Sequence, residues 1–158
     1  MAMPLPNPLE LANLFGDLLD RNVTATASAL PKPDAASFAF AEFHGDAGDV
    51  QAVACCDGPI GASLAAALTV MPPTRVDEWL RESKRDETMM ANLYETFNVL
   101  AAIFPKVGAP RMVLRSVVHD GKTSDRAKAI VKAPGRKAEY EVSVNGYKKG
   151  RFAIYAAA

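Results

Sequence analysis

Residues 85–104 read RDETMMANLYETFNVLAAIF and lie in the longest part of the chain without Gly or Pro. Their apolar side chains recur at steps of three and four, the spacing that places residues on one face of an α-helix. At about 100° per residue these side chains fall within a sector of roughly 80°, which predicts a helix with one core-facing stripe. The stripe consists of Met90, Leu93, Phe97, Leu100, Ala101 and Phe104.

The opposite face of this helix carries few charges. It holds Glu95 and Asn98, three residues apart, together with Thr88, Ala91 and Ala102. A solvated helix face is usually filled with charged side chains. Two polar groups among small residues favour an exposed platform on which a partner surface lies closely. A sparsely charged outer face without any partner is the alternative interpretation.

Length and composition predict a single soluble domain spanning residues 1–158. A chain of this size buries about two-thirds of the surface that its unfolded form exposes. No apolar run approaches the roughly 18–20 residues that cross a bilayer, and the first residues lack the basic and apolar regions of a secretory signal. We therefore expect a cytoplasmic protein that does not bind membranes.

The cysteine and histidine residues predict neither a disulfide framework nor a metal site. Cys55 and Cys56 are adjacent in an expected strand, so one thiol should lie in the core and the other should be half exposed. His44 and His119 stand outside any HExxH or CxxC pattern. Glu42 lies on the same strand face as His44, which allows either an acid/base pair or a surface hydrogen bond. We expect no cofactor of the chain's own.

Charge is distributed unevenly along a chain whose net charge is zero. Residues 1–104 contain 6 Lys+Arg and 14 Asp+Glu, a net charge of −8, whereas residues 105–158 contain 12 and 4, a net charge of +8. The two halves can attract each other within one fold, or the basic half can form a patch for an acidic partner. Aromatic residues are not interleaved with the basic ones, so we do not expect nucleic-acid binding.

The rest of the chain alternates between helix and strand signals. Asn7 and Pro8 suit the N-cap and first position of a helix, and Asp57 suits the cap of another. Three successive strands with short connections should form an antiparallel meander. Segment 126–137 fits either a strand or a single helical turn. The predicted strands span 22–30, 36–44, 50–56 and 112–118, followed by a C-terminal hairpin containing Tyr140, Val142, Val144, Phe152, Ile154 and Tyr155.

This order of elements predicts an α+β fold. We expect a two-layer sandwich, in which a largely antiparallel sheet has the long central helix and other helices packed on one face.

The central helix and the order of elements resemble the CheC/CheX-type chemotaxis phosphatases. The sequence Glu-x-x-Asn at 95–98 continues into small and apolar residues, and it follows a strand, VQAVACC at 50–56, and a helix, ASLAAAL at 62–68. The resemblance covers most of the chain and is best over residues 36–118. Only one clear Glu-x-x-Asn is present, so the chain resembles the single-site CheX-like branch more closely.

The resemblance implies a phosphatase of two-component signalling that acts on the phosphoaspartate of a CheY-like response regulator. Asn98 would orient the attacking water, because an amide brings no repelling charge to the phosphoryl group. Glu95 would pair with a lysine of the regulator, and Thr88, Ala91 and Ala102 would contact the receiver domain. The regulator would supply Mg²⁺.

A second interpretation stays open, in which the chain is a non-catalytic interaction or dimerisation module of the same fold. Ala91 stands where the CheC pattern prefers Asp or Ser, and Ala101 and Ala102 stand near the family's Gly. A homodimer could form through an exposed strand edge, because a free edge readily pairs. The expected partners are therefore a receiver domain or a second copy.

Overall fold

The computed structural model of the chain describes residues 3–29, 39–82, 86–119 and 122–158. Within these ranges no helix is both long and apolar enough to cross a bilayer. The described elements are α1 (Pro8–Leu19), β1 (Val23–Ala27), β2 (Ala39–His44), β3 (Val50–Cys56), α2 (Gly58–Leu68), α3 (Pro73–Arg81), α4 (Glu87–Leu100), α5 (Ile103–Lys106), β4 (Val113–Val118), α6 (Asp125–Lys132), β5 (Arg136–Val144) and β6 (Gly150–Ala156).

The six strands form one antiparallel sheet in the order β1-β5-β6-β3-β2-β4. The predicted hairpin of β2 with β3 and the predicted C-terminal hairpin of β5 with β6 are both confirmed. The predicted three-strand meander is wrong, because β1 pairs with β5, with Val23 opposite Val144. Strands β3 and β6 occupy the centre of the sheet and are buried on both faces. Strand β1, which is largely exposed, lies at an edge. Residues 30 and 36–38 of the predicted strands lie outside the described residues.

One face of the sheet carries the main core, built from helices α1 to α5. Phe152 of β6 stacks on Phe97 of α4, with ring centroids 5.8 Å apart, and meets Phe15 of α1 edge-on at 5.4 Å. A second aromatic pair, Phe43 with Phe104, joins β2 to α5. The predicted α+β class, with a long helix and others packed on one face of an antiparallel sheet, is confirmed.

Helix α6 lies on the other face of the sheet. The segment 126–137, which fits either a strand or a helical turn from its sequence, is helical as far as Lys132 and enters β5 at Arg136. Because strand side chains alternate, Cys56 faces the main core while Cys55 faces α6. Both thiols are buried, so the prediction of one half-exposed thiol is wrong. The second core contains Phe40, Val53, Cys55, Ala127, Ile130, Val131, Ala153 and Tyr155.

Candidate functional site

Helix α4 begins at Glu87 because Asp86 caps its first backbone N–H groups. One Asp86 oxygen accepts hydrogen bonds from the backbone N–H groups of Thr88 at 2.8 Å and Met89 at 3.2 Å. The other oxygen accepts a hydrogen bond from Nη2 of Arg75, on α3, at 3.1 Å. Burial opposes ionisation, but these hydrogen bonds and the guanidinium outweigh it and lower the pKa of Asp86. The start of α4 is therefore both capped and attached to α3.

The apolar stripe predicted for α4 is confirmed at its centre and displaced at its margins. Met90 and Ala101, two predicted members, are only partly buried, whereas Met89 is fully buried. The buried side of the helix therefore extends farther toward α2 than the apolar pattern predicts. The confirmed members are Leu93, Phe97, Leu100 and, in α5, Phe104.

Two buried polar side chains account for this displacement. Nδ2 of Asn92 donates to the backbone carbonyl of Ala65 at 2.9 Å and to Oγ1 of Thr69 at 3.0 Å. Oγ1 of Thr96 donates to the backbone carbonyl of Asn92 at 2.9 Å. A buried donor left without a partner costs about 1–3 kcal/mol, so the two bonds of Asn92 fix the rotation and register of α4 on α2. The bond of Thr96 stays within α4 and satisfies its own buried hydroxyl. A search for apolar periodicity misses such residues, because it counts them as interruptions.

The outer face of α4 presents all five residues that the sequence assigns to the site. Thr88, Ala91, Glu95 and Asn98 are exposed along the helix, and Ala102 is exposed just beyond its end. Among the described residues, no hydrogen bond or ion pair engages the side chain of Glu95 or Asn98. The structure therefore brings the predicted residues together on one surface. We call this surface the α4 outer face.

Tyr94 extends the α4 outer face and was not anticipated from the sequence. Its side chain is 40% exposed, although it is one of the largest on the helix. Exposed aromatic side chains are typical anchors of protein interfaces. Apolar periodicity assigns Tyr94 to the border between the two faces, so only its size and aromatic ring could have indicated a role in binding.

The α4 outer face offers a neutral amide, Asn98, and a carboxylate, Glu95, for contact with another molecule. The amide of Asn98 can both donate and accept hydrogen bonds, while the carboxylate of Glu95 can pair with a cation. Across the described ranges, no group of three or more His, Cys, Asp or Glu side chains is arranged to hold a metal ion. The arrangement suits a surface that completes a site on another molecule.

Glu42 and His44 lie together on the α6 face of the sheet, away from α4. The Glu42 carboxylate is 6% exposed and accepts hydrogen bonds from Oγ1 of Thr123 at 2.8 Å and from the backbone N–H of Ser124 at 2.9 Å. His44 Nε2 lies 3.5 Å from Glu42 Oε1. Burial opposes ionisation, but the hydrogen bonds outweigh it and lower the pKa of Glu42. Glu42 is thus a buried carboxylate that holds the start of α6, rather than part of a surface hydrogen bond.

The buried thiol of Cys55 lacks the low pKa of a catalytic cysteine. Burial, and to a lesser extent the nearby carboxylates of Glu139 and Asp57, raise the pKa of Cys55 to about 12. A thiol with this pKa is protonated at neutral pH, whereas nucleophilic and redox-active cysteines react as thiolates. Cys55 therefore acts as a packing residue beneath α6.

Solved structures share this arrangement of sheet and helices. FliM from H. pylori, in its complex with SpeE, matches with a TM-score of 0.65 over 95% of this chain and 81% of that chain, at 8% identity. FliY from Thermotoga maritima matches with a TM-score of 0.59 over 94% and 82%, at 13% identity. CheX from Borrelia burgdorferi, in a complex with CheY, BeF3 and Mg²⁺, matches with a TM-score of 0.51 over 95% of both chains, at 12% identity. This chain has the CheC/CheX-like fold.

The similarity to the CheX and FliY structures confirms the resemblance inferred from the central helix and the order of elements. Neither a family sequence model nor the sequence of a curated protein matches the chain. At identities of 8–13%, these similarities establish a shared fold and no more.

Proposed function

We propose that this chain acts in two-component signalling as a phosphatase of a CheY-like response regulator. The observation that carries the proposal is the α4 outer face, on which Glu95 and Asn98 are exposed three residues apart. The CheC/CheX-like fold supports it, because one structure with this fold is CheX in complex with CheY, BeF3 and Mg²⁺. A cytoplasmic location and a role in chemotaxis belong to the same proposal.

In this mechanism α4 lies over the active site of the phosphorylated regulator. The small residues Ala91 and Ala102, with Thr88, let the two surfaces approach closely. Glu95 pairs with a lysine of the regulator, and the amide of Asn98 holds a water in line with the bond between phosphorus and the aspartate oxygen. The water oxygen attacks phosphorus, that bond breaks, and the products are the free aspartate carboxylate and inorganic phosphate. The regulator contributes the Mg²⁺ that neutralises developing charge.

Catalysis of this kind depends on positioning and electrostatics rather than on a reactive side chain. The contacts that hold α4 in place suit this need for precise positioning. Asp86 attaches its first turn to α3, and Asn92 fixes its rotation on α2. Asn98, about three turns beyond the cap and on the outer side, is therefore presented from a rigid element.

The test is the decay of phosphate from a CheY-type regulator in the presence of the wild type or Asn98→Ala. We expect the wild type to accelerate decay and Asn98→Ala to lose about 100-fold or more of that acceleration, by analogy with removal of a positioned polar group. Regulator binding should change far less, because Asn98 acts on the water. Asn13→Ala is the matched control, since Asn13 is an exposed asparagine on another helix, α1.

Two results would contradict the proposal. Equal acceleration by the wild type and Asn98→Ala would place the site on other residues. No acceleration with any of several regulators, together with unimpaired binding, would leave a docking protein without phosphatase activity.

The second candidate is a non-catalytic interaction module, and the similarity to FliM favours it. In this alternative the α4 outer face, including Tyr94, binds a partner without turnover, and Tyr94→Ala weakens binding whereas Asn98→Ala does not. Strand β4 lies at the edge of the sheet, and its Val113 is 39% exposed. A homodimer through this edge would appear as a dimer in sedimentation equilibrium.

A further inference from the structure

The face of the sheet opposite to α4 carries concentrated positive charge that the proposed function does not use. Residues 122–137 contain six Lys or Arg residues against one acidic residue, Asp125, a net charge of +5. All six basic residues are exposed. We call them the α6 basic surface: Lys122, Arg126, Lys128, Lys132, Arg136 and Lys137.

The fold holds this charge in place from beneath. Ala127, Ile130 and Val131 of α6 are buried in the second core, so the basic side of the helix faces solvent. The start of α6 is capped by Ser124, whose Oγ accepts from the backbone N–H of Ala127 at 3.2 Å and donates to the buried carboxylate of Glu42 at 3.0 Å. The α6 basic surface is therefore presented on a docked, capped helix.

Few acidic groups offset the charge. Nζ of Lys137 lies 3.2 Å from the carboxylate of Glu139, whose side chain is 9% exposed. For Arg126, Lys128 and Arg136, the described part of the chain provides no ion pair. Like charges held close together repel one another and destabilise the compact state. An anionic partner would relieve this repulsion, which gives the surface a favourable electrostatic term for binding.

A cleft of about 460 Å³ opens where α6 ends and β5 begins. It is lined by three basic residues, Lys132, Arg136 and Lys137, and by one acidic residue, Glu139, which pairs with Lys137. The largely buried side chains of Val131 and Tyr155 complete the lining. Its size suits one or two side chains rather than a whole element. The cleft adds a concave site to an otherwise convex basic helix, and carboxylates from one flexible segment could occupy both.

The chemistry of the surface distinguishes among anionic partners. Single-stranded nucleic acids bind through exposed aromatic rings, but Tyr155, the aromatic residue of the cleft, is 4% exposed. Insertion into a membrane needs bulky apolar side chains on the outer side of a helix, and there α6 has only Ala129 and Ala133 besides its charged residues. Arginine, in contrast, forms paired hydrogen bonds with carboxylates. We propose that the α6 basic surface binds an acidic segment of a partner protein through its Asp and Glu carboxylates.

The main interactions involve the three basic residues without a described ion pair, Arg126, Lys128 and Arg136. Arg136 also lines the cleft, so a carboxylate bound to it extends the contact into the concave site. This surface and the α4 outer face lie on opposite sides of the sheet, so both can be occupied at once. The segment bound at α6 is therefore separate from any receiver domain bound at α4.

The test measures binding of a fluorescently labelled oligo-glutamate peptide by anisotropy, at low salt and at increasing salt. The reversal variant Arg126→Glu/Lys128→Glu/Arg136→Glu should bind at least about tenfold more weakly than the wild type. The matched control is Arg81→Glu/Lys106→Glu/Lys148→Glu, which makes the same change in net charge at exposed residues beside α3 and α5, on the other face of the sheet. It should stay within about threefold of the wild type at moderate salt, where distant charges are screened.

Three results would overturn the proposal. Equal weakening in both variants would mean that net charge alone drives binding. Tighter binding of single-stranded DNA than of oligo-glutamate, dependent on the same three residues, would assign the surface to nucleic acid. Preferential binding to phosphatidylserine vesicles would assign it to a membrane. The variant Arg126→Gln/Lys128→Gln/Arg136→Gln removes the same charges without reversing them. It should also bind oligo-glutamate more weakly than the wild type, and circular dichroism of both variants would show whether they are folded.

Discussion

At the scale of single residues, α4 uses the same side chain in two opposite ways. Asn98 points outward, where its amide is exposed, whereas Asn92 points inward and satisfies acceptors on α2. The position of Asn98 on the outer face could be predicted from the sequence, because helical periodicity alone puts it there. The role of Asn92 could not, because its acceptors lie 23 and 27 residues away in sequence.

We predict that Asn92→Ala destabilises the protein by about 1–3 kcal/mol, since it removes the side-chain donor to the buried carbonyl of Ala65 on α2. Urea unfolding would measure this loss. Asn13→Ala, on the exposed side of α1, should change stability by no more than about 0.5 kcal/mol. Similar losses in both variants would show that the contacts of Asn92 with α2 contribute nothing specific.

Glu42 gives a prediction that depends on pH. Its pKa in the folded protein lies below the ordinary value of 4.5, so its contribution to stability is present above that value and is lost as pH falls through the folded pKa. Near neutral pH, Glu42→Gln should lose about 2 kcal/mol, because hydrogen bonds to a charged acceptor are replaced by weaker ones.

Urea unfolding of the wild type and Glu42→Gln between neutral pH and about pH 3 should show the two stabilities converging on acidification. Glu141→Gln serves as the control, because the side chain of Glu141 is 46% exposed and should change stability little. A gap between wild type and Glu42→Gln that did not vary with pH would contradict the assigned role of the ionised carboxylate.

At the scale of elements, α4 and α6 differ in how far the sequence specifies them. Helix α4 has 14 residues, enough for its periodicity to be unambiguous. Helix α6 has eight, and its buried residues Ala127, Ile130 and Val131 also fit a short strand. The choice depends on the second face of the sheet, where Val53, Cys55 and Tyr155 need a cover that local sequence cannot reveal.

Because Cys55 lies beneath α6, its reactivity reports whether the helix is docked. Ile130→Ala should weaken α6 packing by about 2–4 kcal/mol and increase the rate at which a maleimide labels Cys55. Fragmentation of the labelled peptide by tandem mass spectrometry would distinguish Cys55 from the adjacent Cys56. Ile103→Ala, in the main core, is the matched control. In this variant the maleimide should not label Cys55 faster than Cys56. Equal labelling in both variants would mean that Cys55 is exposed only by global unfolding.

At the scale of the whole molecule, the sheet separates two surfaces of different chemistry. The α4 outer face is polar and sparsely charged, whereas the α6 basic surface carries six of the 12 Lys and Arg residues of the basic half, 105–158. The opposite net charges of the two halves are visible in the sequence, but their placement is not. Only the topology shows that α4 and α6 lie on opposite faces.

Since the two surfaces share no residues, their effects should be additive. We predict that the reversal variant Arg126→Glu/Lys128→Glu/Arg136→Glu accelerates regulator dephosphorylation as fast as the wild type, within about twofold. Saturating oligo-glutamate should likewise leave the rate with wild-type protein unchanged. A large change in either experiment would show that the two faces are coupled through the sheet.

The pairing of β1 with β5 also bears on how the protein is made. Val23 can pair with Val144 only after Val144 has been synthesised. The hydroxyl of Tyr140 donates a hydrogen bond to the carbonyl of Pro6, which is similarly distant in sequence. Contacts this distant in sequence slow folding, because a long loop must close before they form. A ribosome will therefore carry α1 and β1 without their partner strand until β5 has been synthesised, and this edge of the sheet can close only after that point.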